Sequence, residues 1–417
     1  MRQARDSVGT ALVTGAEEHQ GLAVIRGLGM AGVPVVACGS TRGSLGFWSR
    51  FATARRVYTS PFTDQQRFVA DILEIARASG ANLIVPSVES TLVVLDAHRA
   101  AIEKQCRLAA PCSDVLEVAL DKLRTLQLAE RLGVPVPPTA HGASREAILD
   151  AARKLRFPVA IKPRGHSLYA KTQNALGFKV KYATTLAELA TALQSLDPSQ
   201  GYPLVQEYAP GTGICVSAVF DRGRPLVLFP YVRVREVPLT GGVSVLRRSL
   251  PLDKRLARYV ELLLGSVGWH GIAMVEFRYS ARTDSYVLME INGRFQASTA
   301  LAIDAGLNLP YLVYALYTGR SLNGDQRYRA GVEERWLRGD LLSLLAALLG
   351  ATAPSSVQDP ERPLPSRVRL LRDFLRDFRP GMKYDEFKLS DPGPALIEAA
   401  ELGRALLHGL RGAWARR

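Results

Sequence analysis

The chain has 417 residues, 47% hydrophobic and 22% charged, with 53 Lys/Arg against 39 Asp/Glu and a formal net charge of +14. This is ordinary globular composition, long enough for two or three domains. Four cysteines (Cys38, Cys106, Cys112, Cys215) form no C-x-x-C pair and no Cys/His cluster, no secretory signal precedes the first strand-like run, and no apolar stretch reaches the ~20 residues of a membrane span. A zinc site, a disulfide framework and a spanning helix are therefore not expected, and a reducing, cytoplasmic setting is.

Residues 11–15 read as a strand, 19–31 as a helix stopped by Gly32, and 33–38 as the next strand. A helix over 65–79, a strand over 82–86 and a helix over 91–104 follow. Strands alternating with helices predict a parallel sheet whose ligands sit beyond the carboxyl ends of the strands. The Thr14-Gly-Ala16 turn is not a G-x-G-x-x-G fingerprint, so no NAD site is read here. Residues 121–133 form a helix ended by Gly133 and Pro135, and the run 134–139 is a stiff, extended linker. Residues 157–163 are a buried strand carrying one lysine, Lys162, which demands an anionic partner. A strand at 204–211 and a hairpin turning at 221–224 come next, and residues 235–248 carry a loop at 240–244 whose Gly241 and Gly242 permit close backbone approach or simply form a hairpin tip.

Positive charge is concentrated. Residues 151–185 hold eight Lys/Arg and no acid, and residues 215–260 hold nine against three acids. With no nucleic-acid motif and no aromatic ladder, an anionic small molecule explains these blocks economically, and a solvated basic face is the alternative. Residues 336–349 look helical, a Pro-rich stretch covers 354–365, and helices are expected at 366–378 and 395–410. A lid, a homodimer surface and a docking segment all stay open for this tail.

Two strand-like runs, Ile272-Ala-Met-Val-Glu-Phe-Arg278 and Tyr286-Val-Leu-Met-Glu-Ile-Asn-Gly-Arg294, flank a polar connector at 280–285. A turn near Arg282 and Thr283 places Glu276 almost opposite Glu290, where Cβ atoms lie roughly 5 Å apart. Like charges at that spacing need a cation between them. Asn292 shares the face of Glu290, so Glu276, Glu290 and Asn292 form an all-oxygen set suited to Mg²⁺. The other reading is a solvated face paired with Arg278 or Arg282.

Met289-Glu-Ile-Asn-Gly-Arg-Phe-Gln-Ala-Ser-Thr-Ala-Leu301 resembles the metal-binding signature of ATP-grasp enzymes, in particular the carbamoyl-phosphate-synthetase-like, carboxylate–amine ligase branch. The resemblance runs from about residue 8 to 320. It implies an α/β architecture: a Rossmann-like domain (1–112), a two-lobed ATP-grasp domain (113–322, mobile small lobe about 140–208) and a helical C-terminal extension (323–417). It implies ATP with Mg²⁺, or Mn²⁺ in its place, and no nucleic acid. Lys122 and Lys162 would reach ATP phosphates, the loop with Gly165 and Ser167 would cover them, and Gln206, Glu207 and Tyr208 would hold adenine. That loop departs from the family in carrying His166, Tyr169 and Lys171, and no acid occupies 211–215 to hold ribose. Ser87, Glu89, Arg235, Gly242 and Ser244 would face the carboxylate and amine substrates. For Glu89 the alternative is an acid complementing a helix N-terminus. Arg294 would stabilise the transferred phosphate. The implied activity is an ADP-forming ligase working through an acyl phosphate. Bicarbonate-based carboxyphosphate chemistry, or a non-catalytic nucleotide- or nucleic-acid-binding protein, are the alternatives.

Overall fold

A computed structural model describes residues 8–165, 180–196, 201–237, 242–322, 326–349 and 357–414. The chain begins with a five-stranded parallel sheet: β1 (Thr10–Thr14), β2 (Val35–Gly39), β3 (Ala54–Val57), β4 (Ala81–Pro86) and β5 (Arg107–Leu108), in the order β3-β2-β1-β4-β5. The crossovers are α1 (His19–Met30), α2 (Gln65–Ser79), α3 (Glu89–Ala97) and α4 (Arg99–Ile102). Both faces are covered. Val13, Val35 and Leu83 pack with Val24 and Ile25 of α1, while Leu12, Val36 and Ile84 pack with Phe68 and Ile72 of α2. That is why these strands read as continuous apolar runs. β3 shows no such run: it is the sheet edge, and Arg55 and Arg56 are exposed there. The helix expected over 91–104 is broken at His98, whose backbone leaves the helical region and whose Nδ1 lies 2.9 Å from the Val94 carbonyl.

Helices α5 (Ser113–Leu120) and α6 (Lys122–Arg131) lead to a four-stranded antiparallel sheet in the order β6-β9-β7-β8. Its strands are β6 (Thr139–Ala140), β7 (Val159–Lys162), β8 (Lys181–Ala183) and β9 (Leu204–Glu207), with α7 (Arg145–Ala152) and α8 (Leu186–Gln194) packed on one face through Ile148, Leu189 and Leu193. The largest sheet follows. β10 (Thr212–Asp221), β11 (Arg224–Val237), β12 (Val243–Ser249), β13 (Gly271–Ser280) and β14 (Ser285–Asn292) join β15 (Glu333–Arg335) and β16 (Lys383–Tyr384) in the order β14-β13-β10-β11-β12-β15-β16. Helix α9 (Lys254–Ser266) packs on one side with Trp269, and α10 (Thr299–Asp304) and α11 (Leu309–Thr318) pack on the other.

The tail is helical as expected, with α12 (Leu337–Leu348), α13 (Arg367–Arg376) and α14 (Gly393–Trp414). It also donates β15 and β16 to the large sheet, which its Pro-rich, charged sequence does not announce. Buried ion pairs tie it down. Arg26 of α1 binds Asp391 at 2.7 Å, and Arg247 of β12 binds Glu334 at 3.0 Å and also Asp385. Among the described residues no helix is long and apolar enough to cross a membrane.

Candidate active site between two sheets

The four-stranded sheet faces one end of the seven-stranded sheet across a cleft of about 540 Å³. Lys162, Tyr182 and Tyr208 line one wall, and Arg233, Glu276, Arg278, Met289 and Glu290 line the other. Lys122, the first residue of α6, closes one side.

The hairpin β13–β14 brings the carboxylates together. Ser280 pairs Ser285, and the ladder runs to Phe277 opposite Leu288 before shifting by one residue. Met289 is the extra residue of this bulge, so Glu276 pairs directly with Glu290. A bulge sets two residues against one and lets both face the same way. Met289 and Glu290 accordingly both line the cleft, while Leu288 and Ile291 enter the core beneath. Strict alternation would have put Leu288 on the face of Glu290. Gly293 follows because a Cβ there would meet Leu116 Cδ1 at 2.7 Å and Trp269 at 3.2 Å.

Each carboxylate meets cations. Arg233 Nη2 bonds Glu276, and Lys122 Nζ lies 3.8 Å from Glu290 Oε2. Asn292 Nδ2 donates to Glu290 Oε1 at 2.9 Å. Burial pushes the Glu276 carboxyl up, with Arg233 opposing it and Glu290 adding to it. Burial acts on Glu290 in the same direction, but Lys122, Asn292, Arg233 and Lys162 together hold it below its ordinary value. Two carboxylates in register, with an amide beside them and their charge met by two separate cations, fit a hard divalent ion. Among the described residues no group of three or more His, Cys, Asp or Glu could hold a metal, and the candidate set here is these two carboxylates with Asn292.

Lys162 lies at the end of β7. Its Nζ donates to Gln206 Oε1 at 2.7 Å, and Gln206 Nε2 donates to Thr139 Oγ1 at 3.0 Å. Burial pulls the ammonium down to about 8, against the attraction of Glu290 and Glu276. Glu207 is anchored to the Arg156 backbone N–H at 2.8 Å, and Tyr208 packs edge-on against Tyr182 at 5.9 Å. The chain after β7 is pinned at Arg164, whose guanidinium grips the α6 cap Asp121 at 2.8 Å and whose carbonyl accepts from Lys122 N–H at 3.1 Å. Gly165 follows directly; Ser167, His166, Tyr169 and Lys171 lie outside the described residues, as does Gly241.

Other expected residues lie elsewhere. Arg235 is not in the cleft: its fork is taken by Asp340 at 2.6 Å and Asp377 at 2.7 Å. The β11–β12 register is irregular between Arg233 and Glu236, which separates two arginines that simple alternation would set side by side. Arg278, named as a partner of the carboxylates in the alternative reading, does line the cleft, and Arg233 of β11 is the cleft cation that the sequence reading passed over. Ser87 Oγ is buried and donates to the Thr14 carbonyl at 2.6 Å, so it braces the β1–β4 switch point. Glu89 heads α3, and its carboxylate lies 3.5 Å from Arg294 Nε, joining the parallel sheet domain to the Asn-Gly-Arg motif. Gly242 borders the cleft and accepts a long 3.4 Å contact from Arg233, whereas Ser244 Oγ donates to the Leu246 carbonyl at 3.2 Å.

No protein-family model matches the chain. It is 25% identical over 310 residues to the carbamoyl phosphate synthase large chain of Thermomicrobium roseum, covering 71% of this chain and 27% of that one. It is 29% identical over 189 residues to the N5-carboxyaminoimidazole ribonucleotide synthase of Synechococcus elongatus, covering 45% of each. The chain thus spans less than half the length of these curated relatives. Similar solved structures include a biotin carboxylase–β,γ-ATP complex from Campylobacter jejuni (TM-score 0.64, 16% identity, 78% of this chain and 74% of that one). They also include the N5-carboxyaminoimidazole ribonucleotide synthetase of Thermus thermophilus (TM-score 0.60, 18% identity, 78% and 82%). A third is the Hydrogenobacter thermophilus 2-oxoglutarate carboxylase biotin carboxylase domain dimer with MgADP, ADP and bicarbonate (TM-score 0.61, 17% identity, 78% and 74%). At these identities the likeness is one of fold, which the chain shares with the biotin carboxylases and the N5-carboxyaminoimidazole ribonucleotide synthetase.

Proposed function

We propose that the chain is an ATP- and Mg²⁺-dependent ligase that joins a carboxylate to an amine with release of ADP and phosphate. The observation that carries this reading is the pairing of Glu276 with Glu290 at the foot of a cleft whose other wall presents Lys162 and whose side is closed by Lys122. Such a site positions and neutralises phosphates; it has no covalent chemistry of its own to supply. Glu276, Glu290 and Asn292 would hold Mg²⁺, with Mn²⁺ able to replace it. The ion would neutralise phosphate oxygens at that wall.

Lys162 and Lys122 grip the phosphates, while Gln206, Glu207 and Tyr208 offer the adenine edge. Gly165 and Ser167 would contribute to phosphate binding. A substrate carboxylate oxygen attacks the γ-phosphorus. The γ-phosphorus–oxygen bond breaks and its electron pair leaves with ADP, giving an acyl phosphate. The amine nitrogen then attacks the acyl carbon, phosphate departs with the oxygen that came from the carboxylate, and the surplus amine proton passes to solvent. Arg294, beside Glu89 at the mouth of the parallel sheet domain, would stabilise the transferring phosphate, with Glu89 presented to the amine. A cytoplasmic location, and a homodimer of the kind named for the Hydrogenobacter domain, belong to this proposal.

Amine-dependent release of ADP, screened over carboxylates and amines, tests the reaction. ¹⁸O placed in the substrate carboxylate must then appear in the released phosphate. AMP in place of ADP, with no label in phosphate, would show adenylation instead. Bicarbonate as the carboxylate is a second reading, favoured by the bicarbonate bound in the Hydrogenobacter domain. ADP release that needs bicarbonate and no organic acid would select it. Salt-sensitive binding to DNA without ADP release would point to a non-catalytic role.

A further inference from the structure

We propose that Arg233 exchanges Glu276 for a carboxylate ligand when a divalent ion enters the cleft, and that Arg362 of the C-terminal extension positions it for this through Glu236. The inference rests on the metal-dependent ligase reading above.

The contacts form an unbroken chain. Arg233 Nη2 bonds Glu276, and its Nη1 lies 3.3 Å from Glu236 Oε1. Glu236 is 2% exposed, and its other oxygen accepts from Arg362 Nη1 at 3.0 Å. Arg362 also donates to the Val234 carbonyl at 3.3 Å. Its segment is fastened to the rim of the cleft at two further points. Asp359 Oδ2 accepts from Gly211 N–H at 2.9 Å, and Glu361 accepts from Ser280 Oγ at 2.5 Å and Ala281 N–H at 2.9 Å.

Charge counting then decides what Arg233 does. As described, Glu276 answers Arg233, and Glu236 is shared by Arg233 and Arg362. A divalent ion on Glu276 and Glu290 takes the charge that Arg233 was using. Arg233 is left against a dication with half of one carboxylate, and its side chain is only 15% exposed, too covered for water to screen it fully. An anion placed between the guanidinium and the ion removes the conflict. A planar fork of N–H donors matches a carboxylate in two bonds, which an ammonium cannot do. The reacting carboxylate must lie beside the phosphates at this wall. Arg233 is thus a candidate substrate-binding residue and Arg362 a positioning residue.

Linkage supplies a test that needs no identified substrate: if acetate and the ion stabilise each other through Arg233, acetate must tighten metal binding. The probes are Mn²⁺, titrated by electron paramagnetic resonance into the full chain loaded with a non-hydrolysable ATP analogue, and acetate. Wild type should bind Mn²⁺ more tightly when acetate is added. Arg233→Gln should bind Mn²⁺ about 10-fold more tightly without acetate, because a charge-assisted competitor for Glu276 is gone, and should ignore acetate. Arg233→Lys, which keeps the charge and guards against a folding defect, should show a weakened acetate response. Arg362→Ala should halve that response or more while leaving analogue affinity unchanged; a merely structural role would move neither quantity selectively. No acetate effect in wild type, or an equal effect in Arg233→Gln, overturns the inference. Analogue affinity falling with Arg233→Gln would make Arg233 a phosphate ligand and overturn it too. Absence of Mn²⁺ binding that Glu290→Gln abolishes would instead refute the ligase reading.

Discussion

Lys162 holds a charge that its burial disfavours, and a bound nucleotide should reverse that. Its ammonium titrates at about 8 rather than the ordinary 10.5, chiefly through burial. The difference corresponds to roughly 3 kcal/mol against the charged, folded form. Between about pH 8 and 10.5 the unfolded chain binds more protons here than the folded one. In that window stability attributable to Lys162 therefore rises with pH, and below it the full cost persists. Lys162→Met removes the cost and forfeits the hydrogen bond to Gln206, worth about 1 kcal/mol. The variant should gain a net of about 2 kcal/mol at neutral pH by this bookkeeping. Triphosphate beside Nζ favours the charged form and lifts its titration point well above 8. Binding of Mg·ATP at pH 8 should consequently draw in about half a proton per site, since a group titrating at about 8 is half charged before binding. Calorimetry in buffers of different ionisation enthalpy measures that uptake. Lys162→Met should melt higher without nucleotide, bind Mg·ATP more weakly and show no uptake. Equal uptake in wild type and variant, or unchanged affinity, would refute the placement of phosphate at Lys162.

Glu290→Gln should fold normally, because it relieves like charge opposite Glu276, and should lose ADP formation; full turnover, measured by coupled ADP release, would sink the metal assignment. Arg294→Lys should keep nucleotide binding and lose about 10²–10³ in turnover, as one oriented donor to developing charge is lost; a turnover within a few-fold of wild type speaks against its role. Arg235→Ala should lower stability by about 3 kcal/mol, the cost of leaving a buried carboxylate without its cation: Asp377 loses its partner, while Asp340 keeps Arg335 at 2.7 Å. Denaturant unfolding checks this, and the substrate KM values should stay put because Arg235 does not reach the cleft.

Most of the parallel sheet was legible because both of its faces are buried, so β1, β2 and β4 carry unbroken apolar runs. β3 was not, because an edge strand bearing Arg55 and Arg56 has no such signature. The hairpin was legible in outline: a polar connector between two strand-like runs places the turn within a residue. The bulge at Met289 was not, because a single extra residue leaves no compositional mark. It is nonetheless what turns near-opposition of Glu276 and Glu290 into direct pairing. Strands β15 and β16 have three and two residues, too short for any period to show.

Local charge counting misled in an instructive way. The window 215–260 carries nine basic residues against three acids, which invites a search for an anionic ligand. In the folded chain Arg235 is matched by Asp340 and Asp377, Arg247 by Glu334 and Asp385, Arg248 by Glu333, and Arg255 by Asp253 and Asp284. Most of those acids come from the last hundred residues, so part of the surplus reflects where the window ends. A buried arginine whose partner is removed costs far more than the intact pair contributes. The extension is therefore part of the unit that builds this sheet, whatever else it does. Among the described residues Lys122, Lys162, Arg233 and Arg278 are the cations that line the cleft, with Arg233 on Glu276 and Lys122 beside Glu290. By the inference above, these two turn to an anion when a divalent ion takes over Glu276 and Glu290. On that inference, what occupies the carboxylates sets the site's affinity for anions more than the number of basic residues nearby.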